Sequence, residues 1–111
     1  MTIEKRLSSR IDVNLKMRVL RRGDEVTSGV IQDLNIDGMA MRLDGEPLTR
    51  GSMVEAVFES TGRTWCLPAL VIHSNGSYCG VMFADPQREL YERVKADEGL
   101  GLELDDSLVR G

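Results

Sequence analysis

The sequence predicts a mainly β protein, a six-stranded antiparallel barrel followed by one C-terminal α-helix. Three observations lead there. Short turn signals recur at regular intervals, RRGD (21–24), NIDG (35–38), DGEP (44–47), TRGS (49–52), STGR (60–63) and SNGS (74–77), which is the punctuation of antiparallel β structure. Between them apolar residues fall at the strand period of two: Leu15, Met17 and Val19, then Met39, Met41 and Leu43, then Val54, Ala56 and Phe58. Only ADPQRELYERVKADEG (84–99) carries helix punctuation. A strongly curved sheet of about six strands closes on itself because closure removes its exposed edges.

Taken in order, residues 1–12 show neither strand nor helix alternation and are expected to form a flexible arm. Residues 13–84 form the barrel, 85–98 the helix and 99–111 a tail, all within one domain. The clearest hairpin joins Trp65–Ser74 to Tyr78–Phe83, with Asn75-Gly76 as a two-residue type I′ loop. That loop sets Ser74 opposite Ser77, His73 opposite Tyr78, and Ile72 opposite Cys79. In the helix, Asp85 is the expected N-cap and Pro86 the first helical residue, with Gly99 beyond the end. Leu90 and Val94 share the face that covers an open end of the barrel, and Glu89 and Arg93 form an i,i+4 pair outside. The tail GLGLELDDSLVRG reads either as a short edge strand or as a loose end.

Composition narrows the class. The 111 residues are 41% hydrophobic and 29% charged, ordinary for one globular domain. No run approaches the roughly 18 apolar residues of a membrane span, and MTIEKRLSSR lacks a signal peptide's apolar core, so a cytoplasmic protein without membrane insertion is expected. Cys66 and Cys79 are too few for a disulfide scaffold and are read as free thiols. The net charge of −4 conceals an asymmetry: residues 1–22 carry seven Lys/Arg against two acids, and the remainder seven against sixteen. A basic segment at one end of an acidic chain fits a small anionic ligand better than a nucleic acid polymer, which calls for a long basic stripe.

Two segments carry the chemistry. Arg6 and Arg10 flank Leu7-Ser8-Ser9 where no core-facing pattern claims them. A guanidinium presents paired donors that match a phosphate or the O6/N7 edge of guanine. The second segment, Asp33-Leu34-Asn35-Ile36-Asp37-Gly38, lies between Thr27–Gln32 and Met39–Leu43. It admits two readings. In one, Asp33, Asn35 and Gly38 shape a turn, with Gly38 supplying a backbone angle that other residues avoid. In the other, Asp33 accepts protons from a base edge and Asn35 offers both a donor and an acceptor.

The order KRLSSR, then a strand, then DLNIDG between strands resembles the PilZ domain family, whose pattern is RxxxR followed by D/NxSxxG. The likeness covers roughly residues 4–95, and LTRGSMVEAVF and VIHSNGSYCGVMF also look like that family's later strands. It implies a six-stranded antiparallel barrel with a C-terminal helix, and the bacterial second messenger cyclic di-GMP as ligand. Carried over by position, Arg6 and Arg10 would grip phosphates and guanine edges, Lys5 would add charge, and Asp33 and Gly38 would shape the facing rim. Asn35 departs from the family's serine. It keeps a donor and an acceptor but is longer, so binding could be preserved, weakened or lost. The likeness also implies that ligand orders the arm, which then presents a new surface to a protein partner. Lys5, just before the first arginine, leaves a stoichiometry of one or two ligands open, and the chain could act as a monomer or a homodimer.

Nothing points to an enzyme or to a resident cofactor. His73 is the only histidine, with no acidic or cysteine neighbour placed beside it by the sequence, so it reads as a packed or surface residue. Ser8, Ser9, Ser74 and Ser77 lack a nucleophile-elbow context. Glu103, Asp105 and Asp106 match no calcium loop. The rival class is an interaction module that keeps the barrel but binds no nucleotide, working through its acidic helix face or leucine-containing tail. RNA binding fits less well, since the chain has five aromatics and no basic strand face.

Overall fold

The computed structural model describes residues 10–97. Six strands follow in order: β1 (Ile11–Arg21), β2 (Asp24–Leu34), β3 (Gly38–Leu43), β4 (Met53–Ser60), β5 (Arg63–Asn75) and β6 (Tyr78–Phe83). Every neighbouring pair is antiparallel, and the order β1-β2-β3-β6-β5-β4 closes through β4 onto β1 as a barrel. The helix α1 covers 88–97. The six-stranded barrel and its C-terminal helix are therefore present as the alternation predicted, with β1 beginning at Ile11, inside the expected arm. Gly99, the tail, and Lys5 and Arg6 lie outside the described residues.

Alternation fills the interior. Met17 and Val19, Met39 and Met41, Ala56 and Phe58 all point inward and are at most 3% exposed. Leu67, Ala69, Val71, Val81 and Phe83 complete the same core, and Leu90 and Val94 of α1 join it. The helix thus covers apolar surface with the two residues whose i,i+4 spacing marked its buried face. Outside, Glu89 accepts from both Arg93 and Arg63, each at 3.1 Å. The Arg63 guanidinium also lies 4.2 Å from the centre of the Trp65 ring, so the expected helix pair extends to β5.

Tight turns join three of the hairpins. Arg22-Gly23 and Thr61-Gly62 both have positive φ at both positions, 54° with 86° and 54° with 81°, the I′ pattern that matches strand twist. The β5–β6 turn differs from expectation. Asn75 pairs with Tyr78, so the loop is Gly76-Ser77 and only Gly76 has positive φ, 63°. Glycine at the first central position is the II′ signature. His73 consequently faces Gly80 rather than Tyr78, and Ser74 faces Cys79. Cys66 and Cys79 are free thiols on different strands, one exposed and one buried, and burial pushes the Cys79 thiol above its ordinary pKa.

The helix start also shifts. The Gln87 carbonyl accepts the Tyr91 amide at 3.0 Å, which makes Gln87 the N-cap, two residues beyond the expected Asp85. The cause is tertiary. Backbone bonds from Ala84 to Pro68 at 2.9 Å and from Gln87 to Ile36 at 2.8 Å tie the chain to the barrel before it can coil. No helix among the described residues is long and apolar enough to cross a membrane.

Candidate functional site

The β2–β3 connection is built from alternating anchors and polar groups. Leu34 and Ile36 are 1% and 7% exposed and fix the loop to the core. Between them, the Asn35 Oδ1 accepts the backbone amides of Asp37 at 2.9 Å and Gly38 at 2.8 Å, and the Asn35 amide donates to the Gly38 carbonyl at 2.9 Å. Asn35 therefore performs the turn chemistry of its first reading. Its carbonyl oxygen is committed to the loop, and what it can still offer outward is its NH₂ group.

Gly38 has a different reason for being glycine than the one expected. Its φ is not positive. A Cβ there would lie 2.2 Å from the Val81 carbonyl oxygen, so the residue is dictated by close approach of β3 to β6 and not by a special backbone angle.

Asp33 reaches the outer surface through a β-bulge. Ile31 pairs with Met41 but Asp33 pairs with Ala40, leaving Gln32 extra on β2. The inserted residue advances the alternation by one and turns Asp33 outward. There Asp33 accepts from the Arg10 guanidinium at 2.7 Å across 23 residues. Asp12 stands opposite Asp33 on β1, and directly opposed like charges are unfavourable unless a cation offsets them. Arg10 does so. With the Arg10 side chain 60% exposed, the pair adds only about 0.2–1 kcal/mol to stability, and its guanidinium keeps donors available.

The structure thus brings Arg10, Asp33, Asn35 and Gly38 together at one rim. It also adds residues that strand patterning concealed. A second bulge, at Ile72 between the pairs Val71–Val81 and His73–Gly80, turns His73 outward. Asp33, Ala40, Gly80 and His73 then form one lateral row across β2, β3, β6 and β5. Arg10, Asn35, Gly38, His73, Tyr78 and Gly80 all line a shallow concavity of about 190 Å³ on that face. The sequence signal that could have located it is the small pair Ala40 and Gly80 amid larger strand residues, but only the register aligns them.

A larger concavity, about 730 Å³, opens on the opposite side, where Lys16 and Arg18 share the wall with Asp44 and Glu59. Mixed charge gives that surface no preference for an anion, so size is the poorer guide here. Among the described residues no group of three or more His, Cys, Asp or Glu is placed to hold a metal ion.

A closed six-stranded barrel with an arginine and an Asx-turned loop at one rim defines a small ligand-receptor domain rather than a catalytic cleft. The family comparison agrees in kind: the PilZ domain model matches residues 4–106, and the chain belongs to the PilZ domain family. Its domains are known as cyclic di-GMP receptors, not enzymes. Among solved structures, the PilZ domain of CeSA from a cellulose-synthesizing bacterium aligns with a TM-score of 0.61 at 21% identity, covering 86% of this chain and 98% of that one. Comparison with curated proteins gave no match.

Proposed function

We propose that this chain is a cyclic di-GMP sensor in which Arg10, with Arg6 and Lys5 from the arm, holds the phosphates and a guanine edge, while Asp33, Asn35 and Gly38 shape the facing rim. The observation that carries this reading is the 2.7 Å Arg10–Asp33 bond beside the Asn35 turn. It supports a site where an arginine fork is held in place yet stays open to an anion. Ligand binding draws the arm against the barrel, and the ordered arm presents the surface that a protein partner reads. The chain does this as a receptor, without catalysis and without a resident cofactor, in the cytoplasm.

Calorimetry with cyclic di-GMP tests it. Arg6→Ala and Arg10→Ala should each weaken binding by roughly 10- to 100-fold, the loss of charged hydrogen bonds. Wild-type affinity in both variants would remove the assignment. Asn35→Ser should bind at least as well, since the loop needs only a side-chain oxygen and the shorter residue leaves more room. A large loss would make the Asn35 NH₂ a ligand contact.

One observation favours a second reading. The Asn35 oxygen is spent on the loop itself, which suits an interaction module that has kept the barrel and lost the nucleotide. A calorimetric blank for wild type, with partner capture indifferent to cyclic di-GMP, would select it.

A further inference from the structure

The face beyond the rim has a shape of its own. At its centre Ala40 and Gly80 pair across β3 and β6, and neither projects more than a methyl group. Along β6, Tyr78 and Met82 flank Gly80 and are 42% and 45% exposed, two of the four large apolar residues among those described that stand this far out of the surface. At the far end the bulge at Ile72 delivers His73, an exposed residue whose ring lies across Gly80. A Cβ built on Gly80 would sit 3.4 Å from the His73 Cδ2. The imidazole therefore takes the space a side chain at position 80 would fill. Strands about 4.8 Å apart put Asp33 and His73 at opposite ends of a row roughly 14 Å long.

Each element of that arrangement has a chemical meaning. A floor of small residues, a ring lying on it and apolar walls on both sides suit a flat, apolar-faced group. The polar groups needed to orient such a group, the Arg10 donors and the Asn35 NH₂, line the same concavity. Its volume of about 190 Å³ accommodates one fused bicyclic ring and not a stack of two. A peptide or lipid chain would require a longer groove, whereas a purine base matches this depth, this width and these edge donors.

We propose that the Ala40–Gly80 shelf is a single-base subsite, in which one purine ring of the nucleotide stacks on the His73 imidazole between Tyr78 and Met82 with its edge toward Arg10. The assignment rests on the cyclic di-GMP reading and extends it to residues outside the RxxxR and D/NxSxxG positions. His73 acts here by its ring face, so aromaticity matters and the imidazole nitrogens do not.

Titration of the full-length chain with cyclic di-GMP, in wild type, His73→Ala, His73→Phe and Tyr78→Ala, tests it. His73→Ala should weaken binding by roughly 5- to 100-fold, the loss expected for one base–aromatic stack. His73→Phe should restore most of it, and Tyr78→Ala should fall between. Position 73 is exposed and opposite a glycine, so these variants retain the fold, which circular dichroism verifies. Wild-type binding that His73→Ala leaves unchanged would overturn the shelf while leaving the Arg10 site in place. Failure of His73→Phe to rescue would overturn stacking in favour of a polar contact. Absence of binding by wild type would remove the nucleotide reading and the shelf with it.

Discussion

The two halves of the barrel wall are built differently. β4 pairs with β5 through eight consecutive positions, from Met53–Leu70 to Ser60–Arg63, and with β1 through four more, with no shift in either register. On the other side, β1–β2, β2–β3 and β5–β6 are each interrupted by at least one shift. The regular half uses alternation to pack a core. The irregular half departs from alternation at Gln32 and Ile72, and each departure places a polar side chain, Asp33 or His73, on the outer surface next to the rim. Bulges concentrate where side chains must be re-aimed, and here they coincide with the arginine, the Asx turn and the glycine row. Stability and recognition are thereby assigned to different strands.

That division can be broken from either side. The largest expected effect is on stability in the regular half. Phe58→Ala, at a site 3% exposed, should cost about 3–5 kcal/mol by chemical denaturation through the cavity it leaves. Below its unfolding transition, affinity for cyclic di-GMP should be unchanged. In the irregular half Gly38→Ala must push β3 from the Val81 carbonyl, costing about 1–3 kcal/mol, and it should also weaken ligand binding because the rim moves. Asn35→Ala removes the acceptor for two backbone amides and should cost about 0.5–2 kcal/mol, comparable to losing a helix cap.

A smaller effect separates the two cysteines. Cys66, exposed on β5, should react with iodoacetamide in the native state, while Cys79, buried with its thiol pKa raised by desolvation, should react only on unfolding. The raised value also has a sign for stability. Its contribution is fully present below the unfolded thiol's pKa, about 8.5, and declines as pH rises toward the folded value, because the unfolded state releases its proton first. Cys79→Ala should flatten that decline in an unfolding series above pH about 8.5, whatever it does to stability at neutral pH.

The same contrast explains what the sequence could and could not reveal. Met17, Val19, Ala56 and Phe58 were legible because a regular strand repeats every two residues and buries one face. Leu90 and Val94 were legible for the equivalent reason at helical spacing. The rim was legible only through Arg10, Asp33, Asn35 and Gly38 as an ordered motif, and even there the reason for Gly38 was a close backbone approach that no local pattern encodes. His73 was misread because counting outward from Asn75-Gly76 assumes an unbroken ladder with that pair as the loop. A turn moved to Gly76-Ser77 and an extra residue at Ile72 both violate the assumption. The helix began two residues late because Ala84 and Gln87 spend their amides on the barrel, a tertiary effect that capping preference alone does not foresee.

The most direct test of the division is a heteronuclear NMR titration of the full-length chain with cyclic di-GMP. The amides of Arg10, Asp33, Asn35, Gly38, Ala40, His73 and Gly80 should shift in a saturable way, while those of β4 from Val54 to Glu59 stay in place. Saturable shifts centred on Lys16, Arg18, Val57 and Glu59, with the bulged face unmoved, would contradict the account.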